Sequence, residues 1–120
     1  MTRAVTILAF ALLSALGMQI KDPDCSGVER YPTSMAFVHL KNAGMTNNEK
    51  LDFTKTQTTR IASQRIAKNL YRQVHLVTFT EKTGAVIQVI TVNNASRDEC
   101  SAGPVGVFVV SKRLGDGEQK

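Results

Sequence analysis

Cys25 and Cys100 are the only cysteines in this 120-residue chain, and most of its patterned sequence lies between them. If they pair, both ends of the folded body must meet at one place. The closed loop, about 75 residues, would remove roughly 4 kcal/mol of chain entropy from the unfolded state. Whether they pair depends on the compartment, because thiols stay reduced in the cytoplasm and oxidise outside it.

The N-terminus speaks for the outside. Met1, Thr2 and Arg3 precede an apolar run from Ala4 to Leu16 broken only by Thr6 and Ser14. A charged head followed by an apolar middle is the pattern of a secretory signal peptide. The run is about 13 residues long, against about 20 for a membrane-spanning helix. Ala15 and Gly17 put small residues where a signal peptidase inspects the chain, which predicts cleavage after Gly17. Met18 stands where a lipoprotein would need its cysteine, so lipid anchoring is disfavoured. With export, the expected pairing is Cys25–Cys100. No Cys-x-x-Cys spacing or neighbouring histidine suggests a reactive thiol.

Residues 1–17 are thus read as a signal peptide, 18–24 as a flexible lead-in, 25–114 as one domain and 115–120 as a polar, flexible tail. A hydrophobic content of 42% is too high for wholesale disorder. The formal net charge is +5, and loss of Arg3 with the leader keeps the body cationic. Such a balance favours anionic surfaces, for example an anionic envelope polymer or an acidic protein partner.

Four stretches carry strand chemistry. Met35–Lys41 alternates Ala36, Val38 and Leu40 against Met35, Phe37 and His39. Val74–Thr80 alternates likewise, Val86–Val92 is apolar on both faces as a central strand would be, and Val105–Ser111 sets Val105, Val107 and Val109 against Phe108 and Val110. Glu81–Ala85 is short and contains Gly84, which predicts an antiparallel hairpin between the second and third stretches. Ser96 and Glu99 have capping-box spacing and could open a short helical turn before Cys100. Leu51–Thr59 reads either as an edge strand or as an irregular lead into a helix.

Ala62–Arg72 has helical periodicity. At about 100° per residue, Ser63, Ile66, Ala67, Leu70 and Val74 share one face, and Arg65, Lys68 and Arg72 line the other. The expected architecture is therefore α+β: an antiparallel sheet of about four strands packed with one or two short helices and fastened by one disulfide.

Arg65, Lys68 and Arg72 are the candidate residues for an anionic partner. His39 and His75, the only histidines, could serve a small hydrolase or a metal-dependent enzyme if their strands were adjacent, but two ligands with no nearby acid make a poor site. No nucleophile elbow, P-loop, dinucleotide fingerprint or zinc spacing occurs, and neither a metal nor a cofactor is expected. Tyr71 is the only aromatic residue near the basic positions, so nucleic-acid readout is not expected, and no transmembrane segment is expected after cleavage. Asn94-Ala95-Ser96 is a formal glycosylation acceptor that matters only in a eukaryotic secretory pathway.

Leu70–His75, Thr78–Lys82, Val89–Val92, Ala95-Ser96 with Glu99-Cys100-Ser101, and Val107–Ser111 together resemble a group of small exported proteins of Gram-negative bacteria whose function is uncharacterised. The resemblance implies a periplasmic or secreted address and carries over no catalytic residue. The sequence thus points to an exported, non-enzymatic binding protein, with a structural envelope component as an alternative. Expressed with its leader in a Gram-negative host, the mature protein should begin at Met18 and gain two hydrogens on reduction. Intact-mass measurement before and after reductant checks both.

Overall fold

In the computed structural model the described residues are 21–110. The expected signal peptide at 1–17 and the expected flexible tail at 115–120 lie outside them. One helix, α1 (Tyr31–Asn42), is followed by a single 3-10 turn at Phe53–Lys55 and four strands: β1 (Gln57–Ala67), β2 (Leu70–Thr80), β3 (Val86–Ala95) and β4 (Gly106–Val109). The strands form one antiparallel sheet in the order β1-β2-β3-β4. The α+β class, the four-stranded antiparallel sheet and the Cys25–Cys100 bond agree with the sequence expectation.

Two elements differ from it. Met35–Lys41 belongs to α1, not to a strand. Ala36 and Leu40 are four apart, a spacing that satisfies period 2 and period 3.6 alike; Val38 separates the two readings. A strand would bury Val38 with its neighbours, but Val38 is 39% exposed and Leu40 only 1%. The buried stripe is Pro32, Thr33, Ala36 and Leu40, which is helical spacing. Pro32 sits in the first turn, where its missing N–H is not needed. At the other end Gly44 takes φ +73°. Its N–H donates to the Lys41 carbonyl and that of Met45 to the Leu40 carbonyl, each at 3.0 Å, closing the helix as a Schellman motif.

Ala62–Arg72 is the second correction. It is not a helix but the β1–β2 hairpin, with Ala67 opposite Leu70 and Lys68-Asn69 as the connection. Asn69 adopts φ +53°, which asparagine tolerates better than most residues. Two register irregularities, between Arg60 and Ala62 and between Arg65 and Ala67, reset the side-chain parity of β1. Its alternation is broken twice, so its apolar residues fall into helical spacing by coincidence. Most of β1 is also exposed, as a bulged edge strand can be.

Of the remaining segments, the β2–β3 hairpin follows its sequence signal most closely. β2 and β3 pair along their whole length, from Tyr71 opposite Ala95 to Thr80 opposite Val86. Gly84 turns their hairpin with φ +96°. Leu51 makes an isolated bridge to Glu81 before the 3-10 turn, so Leu51–Thr59 is partly bridge, partly turn and only then strand. Ser96 does accept hydrogen bonds from the Asp98 and Glu99 amides, but the Glu99 backbone carbonyl binds the Ser96 amide in return and no helix follows.

The covered face of the sheet has two halves. Under α1 lie Val77, Phe79 and Val89, joined by Ala36, Leu40 and Leu51 in the apolar core. Beyond the helix the same face turns polar, with Gln73, His75, Thr91 and Asn93 all buried. The strap ending at Cys25 is tied to this half. The Pro23 carbonyl accepts from Gln73 Nε2 at 2.7 Å and from Arg60 at 2.9 Å, and the Cys100 carbonyl accepts from Asn93 Nδ2 at 3.0 Å. Of the lead-in expected at 18–24, residues 21–24 are described, and Pro23 among them is buried.

Leu40→Ala should cost about 2–5 kcal/mol of unfolding free energy by opening a core cavity, whereas Val38→Ala should stay within about 0.5 kcal/mol. Urea titrations of both variants check the helix directly, because a strand would make the two losses similar.

Candidate functional site

Strand alternation sends every second side chain of the sheet away from α1. On β2 these are Leu70, Arg72, Val74, Leu76, Thr78 and Thr80, and on β3 Val86, Gln88, Ile90, Val92 and Asn94. Cross-strand register places Arg72 beside Asn94, Val74 beside Val92 and Leu76 beside Ile90, with Phe108 of β4 next to Ile90 and Gly106 next to Val92. No helix of the described chain lies over this second face.

A groove of about 410 Å³ runs along one end of it, lined by Arg72, Val92, Asn93, Asn94, Pro104, Gly106 and Phe108. Phe108, 60% exposed, forms its apolar wall. A Cβ at position 106 would come within 3.2 Å of the Phe108 ring, so glycine there leaves the ring its place. At the polar end Arg72 Nε donates a long hydrogen bond, 3.5 Å, to Asn94 Oδ1. The volume falls in the range of small-molecule sites.

Arg65, Lys68 and Arg72, expected on one helical face, sit instead around the β1–β2 turn. Arg65 is opposite Tyr71 on the side facing α1, Lys68 is in the turn, and Arg72 is on the open face. They occupy one end of the sheet but not one surface. Arg97, which the sequence reading passed over, joins them: its guanidinium lies 5.4 Å from the centre of the Tyr71 ring and hydrogen-bonds the Tyr71 hydroxyl. Asn69 holds that loop to the hairpin, accepting from the Arg97 amide at 2.9 Å and donating to Asp98 at 3.2 Å. The sole ion pair among the described residues is Arg30–Glu29, so these four cations have no carboxylate of the described residues at pairing distance. Asp98 and Glu99 in the same loop are the nearest acids in sequence to Arg97.

His39 and His75 do not converge. His39 is exposed in the last turn of α1, and His75 is fully buried on β2. One ring thus lies at the surface and the other in the covered face of the sheet. Among the described residues no three of His, Cys, Asp and Glu gather as metal ligands, and no helix is long and apolar enough to cross a membrane. A second cavity, about 340 Å³, lies between α1 and the 3-10 turn and is walled by Phe37, Phe53 and Phe79.

Burial holds His75 below its ordinary pKa of 6.5, and the neighbouring Arg60 lowers it further, while Asp24 acts weakly in the opposite sense. Neither ring nitrogen has a hydrogen-bond partner. Asp24 is held below 3.8 chiefly by the Ser26 hydroxyl, then by the Ser26 amide, and Asp52 below 3.8 chiefly by Thr54.

No family model, curated protein or solved structure matches the chain.

A histidine with a lowered folded pKa binds its proton more readily when unfolded, so its contribution to stability is fully present above 6.5 and is lost as pH falls through the folded value. Unfolding free energy should begin to decline as pH falls past about 6.5, above the window of Asp24 and Asp52. Urea titrations above and below that pH check this; His75→Gln should flatten the decline, and an unchanged slope would assign it elsewhere.

Proposed function

We propose that the protein is an exported, non-enzymatic binding protein that engages an anionic partner with the β1–β2 end of its sheet. The observation that carries this reading is the set of Arg65, Lys68, Arg72 and Arg97, gathered at one end without an ion-pair partner among the described residues. Unpaired cations at a common edge favour salt-sensitive association with a polyanion, acting through encounter rate as much as through contact energy. The disulfide and the apolar leader at Ala4–Leu16 support an oxidising address, periplasmic or secreted. The likeness to small exported Gram-negative proteins belongs to the same reading, with an anionic envelope polymer as the favoured partner class and an acidic protein as the alternative.

Dextran sulfate, a simple polyanion, should bind the mature protein at low salt and release it as ionic strength rises. Combined charge reversal at Arg65, Lys68 and Arg72 should weaken binding by about tenfold or more, read by fluorescence anisotropy at two salt concentrations. Equal affinity in the reversed variant would exclude the hairpin end.

A further inference from the structure

The open face of the sheet carries one charge. Among the side chains that β2, β3 and β4 direct away from α1, Arg72 alone is ionised. Opposite it across β1 stands Gln64, and Ala62 and Thr59 follow beside Val74 and Leu76. The rest of the central patch is apolar: Val74, Leu76, Ile90 and Val92 are half-buried and Phe108 is exposed. Farther along, Thr78 and Gln88 hydrogen-bond each other at 3.2 Å and close the apolar strip with a polar border. Between Arg72 and Gln88 the face therefore reads as cation, apolar strip and neutral polar pair, with Leu70 beyond the cation and the exposed Val86 beyond the polar pair.

This order discriminates among occupants. A second copy of the chain docked face to face would cover Arg72 while bringing no acid from its own strands, which is costly for a charge removed from water. An anionic bilayer is recognised by several cations spread over one surface, and this face has one. A single anionic head beside a single apolar chain matches both the charge and the groove of about 410 Å³.

We infer that the groove between Arg72 and Phe108 binds one single-chain amphiphilic anion, of the class of a long-chain carboxylate. Arg72 takes the head in a charge-assisted hydrogen bond, with the amide of Asn94 beside it, and Val92, Ile90 and Phe108 cover the chain. The chain's apolar surface leaves water against side chains that already lack cover, which supplies the affinity, and the guanidinium selects the sign of the head. The inference rests on the reading of the protein as a binder and narrows the ligand of one of its cations.

The test uses dodecanoate, below its micelle concentration, titrated into the mature disulfide-bonded protein and followed by amide chemical shifts. Saturable one-to-one binding is expected, with shifts concentrated on Arg72–Leu76, Ile90–Asn94 and Gly106–Phe108. Acetate, a head without a chain, and dodecyltrimethylammonium, the same chain with the opposite head, should bind at least about tenfold more weakly, as should Arg72→Gln and Phe108→Ser. Their amide spectra and melting temperatures check that both variants fold. Arg65→Glu/Lys68→Glu leaves Arg72 in place and should keep dodecanoate affinity while weakening dextran sulfate, which separates failure of this inference from failure of the polyanion reading. Equal binding of the cationic amphiphile, shifts centred on Phe37 and Phe53, or binding only to phosphatidylglycerol vesicles and not to free dodecanoate would each overturn it.

Discussion

The Cys25–Cys100 bond closes over the polar half of the covered sheet face, and the arrangement of the rest of the molecule follows from it. Its Cα atoms are 5.7 Å apart although 75 positions separate them in sequence. A twelve-residue helix cannot cover a sheet whose central strands run ten and eleven residues, so the strap at Pro23–Cys25 covers what α1 leaves. Gln73, His75, Thr91 and Asn93 would otherwise face water. The strap supplies the Pro23 carbonyl to Gln73 and Arg60, and the crosslink holds it there. An entropic contribution of roughly 4 kcal/mol is large beside a domain stability of about 5–15 kcal/mol. The crosslink therefore sustains a covered face whose outer half is polar and only in part hydrogen-bonded.

Among the described residues no helix covers the other face. A sheet sandwiched by elements on both sides would bury Val74, Leu76, Ile90 and Val92; here they line an open surface bordered by Phe108 and Arg72. The polar loop between β3 and β4 matters at the same time for the covered face and for the cationic end. It carries Cys100, hydrogen-bonds Asn69 through Arg97 and Asp98, and puts Arg97 over Tyr71. One short connection thus joins the crosslink, the β1–β2 turn and the basic cluster.

Where side-chain parity was unbroken, the sequence was readable. β2 and β3 alternate in burial and pair as their hairpin dictates, and β4 adds beside β3 with Phe108 next to Ile90. Parity failed as a guide in two places for different reasons. In α1 the pair Ala36 and Leu40 fits both periods, and the deciding signals were Pro32 before them and Gly44 after. In β1 the bulges shifted the alternation twice, and the helical spacing of Arg65, Lys68 and Arg72 runs across β1, the turn and β2, where the hairpin does not use it. The basic residues were found, but their surface was not. Arg97 carried no periodic signal at all, because loop residues acquire neighbours only through the fold.

The sequence by itself determined the chemistry of the covalent link, the antiparallel hairpin at Gly84 and the strand character of the second half, since each rests on local pattern or on residue type. Tertiary structure decided which face α1 and the strap would cover, how the bulged edge strand would pair, and that His39 would be exposed while His75 is buried. It also decided that Arg72 would be the one cation on an apolar sheet face. These outcomes depend on contacts between residues far apart in the chain, and burial, register and loop docking exist only once those residues have met.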